Sequence, residues 1–189
     1  MRHRFILFSF SLSRKLLRNF WSPHLLVPPC KNVQWTCEHI VPRSLIQEHN
    51  DLHNLLLLPD TINNARSNYP YIMGIGNGTV KDVAPCKKAG CHCDMCGCLV
   101  SKRMFVPPDR VKGMIARSVL YMRDKYPHHT QLINDRVLHL DTASLWNYIF
   151  PATQREVEWD DIIFSIQHDH NHYTLQSYSQ HSHSSENGI

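Results

Sequence analysis

The segment from residue 36 to residue 68 constrains the fold of this 189-residue chain more than any other part of its sequence. An apolar stretch ends in the pair Glu38-His39, shortly before Pro42, which is typical of a strand that stops there. After a polar loop, residues 52–58 predict a second apolar strand. A strand, a loop and a second strand are therefore expected in this order.

A short helix is predicted directly after the second strand. That strand contains Asn54, and Pro59 interrupts its apolar pattern. Residues 62–68 then predict the helix, with Asp60 or Thr61 as its N-terminal cap. The local fold is thus expected to be strand, loop, strand, helix.

Four side chains in this segment have the chemistry required to cleave a phosphodiester bond. The imidazole of His39, with an ordinary pKa of ~6.5, can take a proton from water near neutral pH. Glu38 and Asn63 offer a carboxylate and an amide oxygen, which are ligands that suit Mg²⁺. Such an ion acts as a Lewis acid on the phosphoryl and leaving-group oxygens. Arg66 adds a cation that can bind phosphate, so the pattern indicates a metal-dependent phosphodiesterase.

Two considerations oppose this interpretation. Successive side chains on a regular strand point to opposite faces, so Glu38 and His39 can share a site only at a strand end or a bulge. The chain also contains 14 histidines, and any one of them is more often a surface or structural residue. Pro42 makes a strand end reasonable, and the whole pattern is much more specific than its parts.

Further motifs follow this segment along the chain. They comprise Cys37–Ser44, Asp51–Leu55, Asn63–Asn68, Phe105–Gly113, Ile115–Arg117, Tyr121-Met122, Trp146-Asn147, Pro151, Ile166-Gln167 and His170-Asn171. Their order and spacing resemble the bacterial endonuclease I family, which belongs to the His-Me finger (ββα-metal, HNH-like) nucleases. The resemblance covers roughly residues 35–173. It implies a ββα-metal core.

The resemblance also implies a role for individual residues of the core segment. His39 would be the general base, and Glu38 with Asn63 would hold the catalytic Mg²⁺ or a similar ion such as Ca²⁺ or Mn²⁺. Asn54 would pin the loop between the two strands through side-chain hydrogen bonds. Arg66 or Arg117 would meet the phosphate or the product, and the sequence does not rank the two.

The implied partner is nucleic acid. Enzymes that this chain resembles cut DNA, and often RNA too, with little sequence preference, and leave 5′-phosphate and 3′-hydroxyl ends. Arg43, Lys112 and Arg117 are the expected contacts to the DNA backbone. Between Lys81 and Arg117 the chain has eight Lys or Arg against three Asp, which favours attraction of a phosphate backbone without reading of bases.

Three features depart from the family pattern. Met114 stands where an acidic residue is expected, and His170 stands where an arginine is common. The segment upstream of the core motif is short, so helices that usually precede it would be missing or reduced. None of these differences changes Glu38, His39 or Asn63.

Size and composition agree with one nuclease domain. The chain is 42% hydrophobic, enough for one sizeable core, and its net charge of +4 is compatible with nucleic acid. Residues 26–176 are the expected domain, and residues 177–189, rich in Ser and His, are expected to be disordered. Residues 109–125 predict a long helix capped by Asp109, and Asp141 is expected to cap a second helix that ends before Pro151.

The cysteines form a second cluster inside this domain. Four or more thiols in an insert at residues 86–98 could hold a structural Zn²⁺, or could form disulfides in an oxidising compartment. Close packing of thiols constrains disulfide geometry and favours zinc, whereas disulfides are usual in secreted members of the resembled family. Cys30 and Cys37 would either pair or remain buried thiols. The insert contains Cys86, Cys91, Cys93, Cys96 and Cys98.

Residues 1–25 are expected to be a leader outside the fold. Their basic start and short apolar run are compatible with a secretory signal or a transit peptide, and the run is too short to span a membrane. The compartment therefore stays open, with export or organelle targeting as the options. A nuclease of low specificity would be toxic in the cell that makes it, so export or an inhibitor protein is expected. The sequence is silent on the oligomeric state.

The sequence as a whole predicts an α+β endonuclease with a ββα-metal core surrounded by helices. Two alternatives remain. The chain could be a zinc-stabilised nucleic-acid-binding protein whose nuclease site has decayed, or an inactive interaction module that keeps only the fold. The intact set Glu38, His39, Asn54 and Asn63 argues against decay.

Overall fold

The computed structural model describes residues 34–74, 81–82, 99–101 and 103–186. Strands β1 (Trp35–His39) and β2 (Leu55–Pro59) pair in antiparallel fashion, with Cys37 opposite Leu57. Helix α1 (Asp60–Arg66) follows β2 at once. The order of strand, loop, strand and helix is therefore the one that the sequence predicts.

Two details of this segment differ from the prediction. Asn54 lies in a short 3₁₀ turn (Leu52–Asn54) that precedes β2, and not inside the strand. Helix α1 begins at Asp60 itself, after Pro59, so neither Asp60 nor Thr61 is the cap. The fixed φ of proline suits the position before a helix, and the carboxylate of Asp60 in the first turn is favoured by the helix dipole.

A second, three-stranded sheet has the order β3-β4-β5. Its strands are β3 (Lys81–Asp82), β4 (Leu99–Ser101) and β5 (Met104–Val106), and both pairings are antiparallel. Tyr71 joins this sheet through a single bridge to Phe105, and the two rings meet edge to face with centroids 5.9 Å apart. The bridge connects the segment after α1 to the second sheet.

Helix α2 (Asp109–Lys125) is the central element of the core. Its predicted apolar stripe is buried, because Val111, Ile115, Val119 and Met122 are each exposed by 2% or less. The helix begins at Asp109 after Pro108, so Asp109 is its first residue and not its cap.

The remaining helices surround α2. They are α3 (Thr130–Arg136), α4 (Leu140–Ile149), α5 (Gln154–Gln167) and α6 (His172–Glu186), and a second 3₁₀ turn (Pro127–His129) precedes α3. The predicted second helix is α4, but Asp141 lies inside its first turn, after His139 at the cap position. The mixture of helices and small sheets confirms the α+β class. None of the helices in the described ranges is long and apolar enough to cross a membrane.

The Ser- and His-rich tail differs from its prediction. Residues 177–186, expected to be disordered, belong to α6, while residues 187–189 lie outside the described part. Thr174 and Ser177 are buried, and the hydroxyl of Ser177 accepts a hydrogen bond from the amide of Ala152 at 3.0 Å. Polar composition suggested a solvated chain, but one face of the helix packs on the domain.

Asp51 connects the loop between β1 and β2 to the helices. Its buried carboxylate accepts hydrogen bonds from Lys125 Nζ at 2.9 Å, the Tyr126 hydroxyl at 2.9 Å and Gln167 Nε2 at 3.0 Å. Burial by itself raises the pKa of Asp51, but the charge of Lys125 and the Gln167 hydrogen bond outweigh it, so that the pKa is lowered. The folded protein therefore favours the ionised carboxylate.

We predict that Asp51→Asn lowers the free energy of unfolding at pH 7 by about 1.5–3 kcal/mol, the range for hydrogen bonds to a charged group. A lowered folded pKa stabilises the protein above the unfolded pKa, and this contribution disappears as the pH falls through the folded pKa. The difference between wild type and variant should therefore shrink below an ordinary aspartate pKa of 3.8. Urea unfolding from pH 7 to pH 3 measures it, with the exposed Asp141→Asn as control. A difference independent of pH would contradict the assignment.

Asn54 fixes the chain where it leaves β1. Its Oδ1 accepts from the amide of Val41 at 2.7 Å, and its Nδ2 donates to the carbonyl of Val41 at 3.0 Å. The backbone carbonyl of Asn54 also accepts from the amide of Ile40 at 2.9 Å. Val41 and Asn54 are both fully buried, so water cannot replace these bonds.

We predict that Asn54→Ala lowers the free energy of unfolding by about 2–4 kcal/mol, because it leaves two backbone groups of Val41 buried without partners. Asn50→Ala, at an exposed position of the same loop, is the matched control and should change stability by less than about 0.5 kcal/mol. Chemical denaturation of both variants measures the two losses of unfolding free energy. Equal stability losses would show that the Val41 contact does not fix the loop.

Candidate active site

Helix α1 places a buried guanidinium against the end of β1. Arg66 is 1% exposed, and its Nη1 lies 2.8 Å from Oε1 of Glu38. Nη1 donates to the carbonyls of His39 at 3.1 Å and Ser67 at 3.2 Å, while Nη2 donates to the carbonyl of Ile40 at 2.7 Å. The same Nη1 therefore contacts the Glu38 carboxylate and two backbone carbonyls, so Glu38 shares its cationic partner with the backbone.

The environment of Glu38 leaves its negative charge only partly compensated. Glu38 is 3% exposed, and burial raises its pKa to about 7 although the charge of Arg66 acts in the opposite direction. An additional positive charge beside this carboxylate would favour its ionised form. The buried carboxylate, still under-compensated beside Arg66, is thus suited to a further cation.

Asn63 of α1 provides a second candidate ligand oxygen, in addition to the carboxylate of Glu38 on β1. Its Nδ2 donates to Thr36 Oγ1 at 2.9 Å and to the carbonyl of Cys37 at 3.3 Å. These are its side-chain bonds within the described ranges, and they leave the amide oxygen Oδ1 to accept. Asn63 and Arg66 are three residues apart and therefore share a helix face, and together they contact β1 on both sides of Glu38.

The donor set fits a hard divalent cation. A carboxylate and an amide oxygen are the kind of ligand that Mg²⁺, Ca²⁺ and Mn²⁺ prefer, and Mg²⁺ commonly takes few protein ligands and several waters. Glu38 supplies a buried carboxylate, and Asn63 supplies an amide oxygen whose amide nitrogen is already held by β1. The residues proposed from the sequence as metal ligands are therefore compatible with that role.

His39 is the last residue of β1 and is 7% exposed. Its ring lies beside that of His49, with centroids 5.8 Å apart. Burial lowers the pKa of His39 to about 4, and the charges of His49, Arg43 and Arg66 contribute in the same direction. The imidazole is therefore neutral at pH 7.

The strand end expected at His39 is present. Arg66 contacts both residues at this end, the side chain of Glu38 and the backbone of His39. Glu38 meets the guanidinium of Arg66 on α1, whereas the His39 ring lies beside the loop residue His49. Arg66 also binds the backbone carbonyl of His39, which fixes the strand end next to the Glu38 carboxylate. The sequence analysis did not identify His49 as a site residue. Its only signal in the sequence was that it is a histidine in the polar loop.

Arg117, like Arg66, is an expected phosphate-binding cation that is engaged inside the protein. Arg117 is 1% exposed, and its Nη2 lies 2.6 Å from Oε1 of Glu156, while its Nη1 donates to the carbonyl of Phe150 at 2.8 Å. A Cβ at Gly113 would lie 2.1 Å from that carbonyl, which explains a glycine in the middle of α2. These contacts give Arg117 a structural position between helices.

Lys112 is also buried, whereas Arg43 is not. Lys112 Nζ lies 2.6 Å from the carboxylate of Asp109 and 5.5 Å from the centre of the Trp146 ring. Arg43 is exposed in the loop that follows β1. Among the predicted DNA contacts on described residues, Arg43 therefore has the position best suited to reach a phosphate.

The structure also locates the departures from the family pattern. His170 Nδ1 lies 2.5 Å from Oδ2 of the buried Asp160, and its ring stacks on Phe164 at 4.0 Å. Met114 lines a small cavity of about 30 Å³ beside Asp160.

Cys37 is buried in the hydrophobic core. The insert cysteines (Cys86, Cys91, Cys93, Cys96 and Cys98) and Cys30 lie outside the described residues.

Comparison with known proteins identifies the family. The family model described as Endonuclease I matches residues 29–177. Endonuclease-1 of Buchnera aphidicola subsp. Acyrthosiphon pisum (strain APS) is 35% identical over 127 residues, which is 67% of this chain and 44% of that protein. Endonuclease-1 of Buchnera aphidicola subsp. Baizongia pistaciae (strain Bp) is 32% identical over 123 residues, or 65% and 45%. The chain thus spans less than half the length of these relatives, but the match over most of its own length shows that it belongs to the endonuclease I family.

Proposed function

We propose that this chain is a metal-dependent endonuclease that hydrolyses phosphodiester bonds of DNA, with RNA as the alternative substrate, and has little sequence preference. The products would carry 5′-phosphate and 3′-hydroxyl ends. Membership of the endonuclease I family supports the reaction class. The observation that carries the proposal is the buried carboxylate of Glu38 at the end of β1, beside α1, whose Asn63 Nδ2 donates to the carbonyl of the adjacent Cys37.

Glu38 and Asn63 would hold one divalent ion, with Mg²⁺ as the first candidate. When bound, the ion supplies a Lewis acid for the phosphoryl oxygen and the leaving 3′-oxygen. Glu38 must be ionised for this role, and its pKa of about 7 means that near neutrality protons compete for the same oxygens. The hydrogen bonds from Asn63 Nδ2 to β1 orient its oxygen ligand before any ion arrives.

His39 would act as the general base. Its neutral imidazole takes a proton from the water that attacks phosphorus in line with the leaving oxygen. In the substrate-free protein its pKa is about 4, which makes it a weak base. A phosphodiester bound nearby adds a negative charge, which favours the imidazolium and raises this pKa during the reaction.

Arg66 and Arg43 would have different tasks. Arg66 positions Glu38 and the carbonyl of His39, and a phosphate contact would require it to release one of its backbone carbonyls. Arg43, exposed on the loop after β1, is the candidate for the first contact with the nucleic acid backbone. Such contacts neutralise phosphate without reading bases, which agrees with low sequence preference.

We predict that His39→Ala lowers the turnover number about 10²–10⁴-fold, the usual contribution of a general base, and leaves metal binding intact. Glu38→Gln and Asn63→Ala should weaken metal binding and cleavage together, because each removes or neutralises a ligand. Plasmid nicking with Mg²⁺ and with EDTA measures cleavage, and calorimetric titration with Mg²⁺ measures binding. His139→Ala, at an exposed histidine, is the matched control and should cut like the wild type.

Two outcomes would contradict these roles. Loss of Mg²⁺ binding in folded His39→Ala would make His39 a ligand and not the base. No cleavage by the folded wild type with Mg²⁺, Mn²⁺ or Ca²⁺ would favour a nucleic-acid-binding protein without catalysis, in which binding should depend on the insert cysteines.

A further inference from the structure

A second group of metal-ligating side chains lies outside the Glu38 site. Glu48, in the loop between β1 and β2, meets His128 and His129 of the 3₁₀ turn after α2. Oε1 of Glu48 is 3.4 Å from His128 Nε2, and Oε2 is 2.9 Å from His129 Nε2. The three side chains each offer a ligand atom within 4.8 Å of the others.

These separations suit a shared ion. Zinc binds imidazole nitrogen at about 2.0–2.1 Å and carboxylate oxygen at about 2.0–2.2 Å, so neighbouring ligands of a tetrahedral site are roughly 3.3–3.5 Å apart. The distance of 3.4 Å from Glu48 Oε1 to His128 Nε2 matches this edge length, and the hydrogen bond of 2.9 Å from Oε2 to His129 Nε2 would lengthen when an ion replaces it. The two imidazole rings lie 4.0 Å apart at an interplanar angle of 47° and are not stacked flat. Small side-chain rotations would therefore direct all three ligands at one point.

Charge and exposure also suit binding from solution. Burial alone raises the pKa of Glu48, but a backbone hydrogen bond and the His129 contact outweigh it, so the pKa is lowered and the carboxylate is ionised at neutral pH. The side chains of Glu48, His128 and His129 are 28%, 60% and 16% exposed. An ion can thus reach the cluster, and a water molecule can complete its coordination.

We propose that Glu48, His128 and His129 form a second metal site that binds a transition-metal ion of the zinc type. Two nitrogens and one carboxylate oxygen select such ions, whereas the oxygen pair of Glu38 and Asn63 selects a hard ion such as Mg²⁺. The site rests on its own geometry and does not depend on the proposed nuclease activity.

Occupancy would fasten the β1–β2 loop to the end of α2. The amide of His129 already bonds to the carbonyl of Tyr126 at 2.9 Å, and the hydroxyl of Tyr126 bonds to Asp51 at 2.9 Å. Glu48 directly precedes His49, whose ring lies beside His39. An ion at Glu48 would therefore add a cross-link to the loop segment that lines the His39 ring.

Hydrogen exchange of the full chain, titrated with Zn²⁺ in saturating Mg²⁺, tests this proposal. Zinc should slow exchange of the loop peptide at residues 41–51 and of the turn peptide at residues 126–133. In His129→Asn and in Glu48→Gln the zinc concentration that gives half of this protection should rise at least about tenfold. His139→Asn, which removes an exposed histidine outside the cluster, should leave the midpoint unchanged.

The variants separate this site from zinc bound elsewhere in the chain, because only the loss of Glu48 or His129 should raise the midpoint. Circular dichroism establishes that each variant is folded, and Glu48→Gln provides a second test if His129→Asn fails to fold. Absence of zinc-dependent protection in the wild-type loop, or an unchanged midpoint in a folded variant, would overturn the site. Plasmid nicking with Mg²⁺ alone, measured in parallel, tests the proposed nuclease activity independently of the zinc site.

Discussion

The guanidinium of Arg66 lies buried between α1 and the end of β1, where the carbonyls of His39, Ile40 and Ser67 accept its hydrogen bonds. A buried charge without such partners is costly, so these bonds fix the approach of the helix to the strand. The ring of Tyr71 lies 4.6 Å from the same guanidinium and links it to the second sheet. Arg66 thus holds β1, α1 and the segment after α1 in one arrangement, and the candidate site depends on it.

In this arrangement the pKa values of the neighbouring residues Glu38 and His39 are shifted in opposite directions. Burial raises the pKa of Glu38 to about 7 and lowers that of His39 to about 4, so each is driven toward its neutral form. Arg66 does not fully compensate Glu38, because the effect of burial on its pKa exceeds that of the guanidinium 2.8 Å from its Oε1. The Glu38 carboxylate is therefore suited to bind a cation. The neutral His39 imidazole is suited to take up a proton.

The sequence predicted the parts of this site that depend on local order. The apolar stretches and Pro42 located both strands, and helical periodicity located α2. What it could not provide are contacts between distant segments, such as the pair of Arg117 and Glu156, 39 residues apart. An arginine that looks like a phosphate ligand in the sequence is, in the fold, a buried partner of a carboxylate. His49 was missed for the same reason, since only the folded loop brings its ring to His39.

The loop between β1 and β2 concentrates these distant contacts. Asn54 fixes its course at Val41, and Asp51 anchors it to Lys125 at the end of α2 and to Gln167 at the end of α5. A loop that carries catalytic or binding groups must be held by a rigid frame if those groups are to keep their geometry. Glu48 offers one more anchor on this loop, and it uses ligand chemistry different from that of Glu38. The two proposed sites would therefore place ions of different ligand preference along the same stretch of chain, one at the end of β1 and one on the loop beside His39.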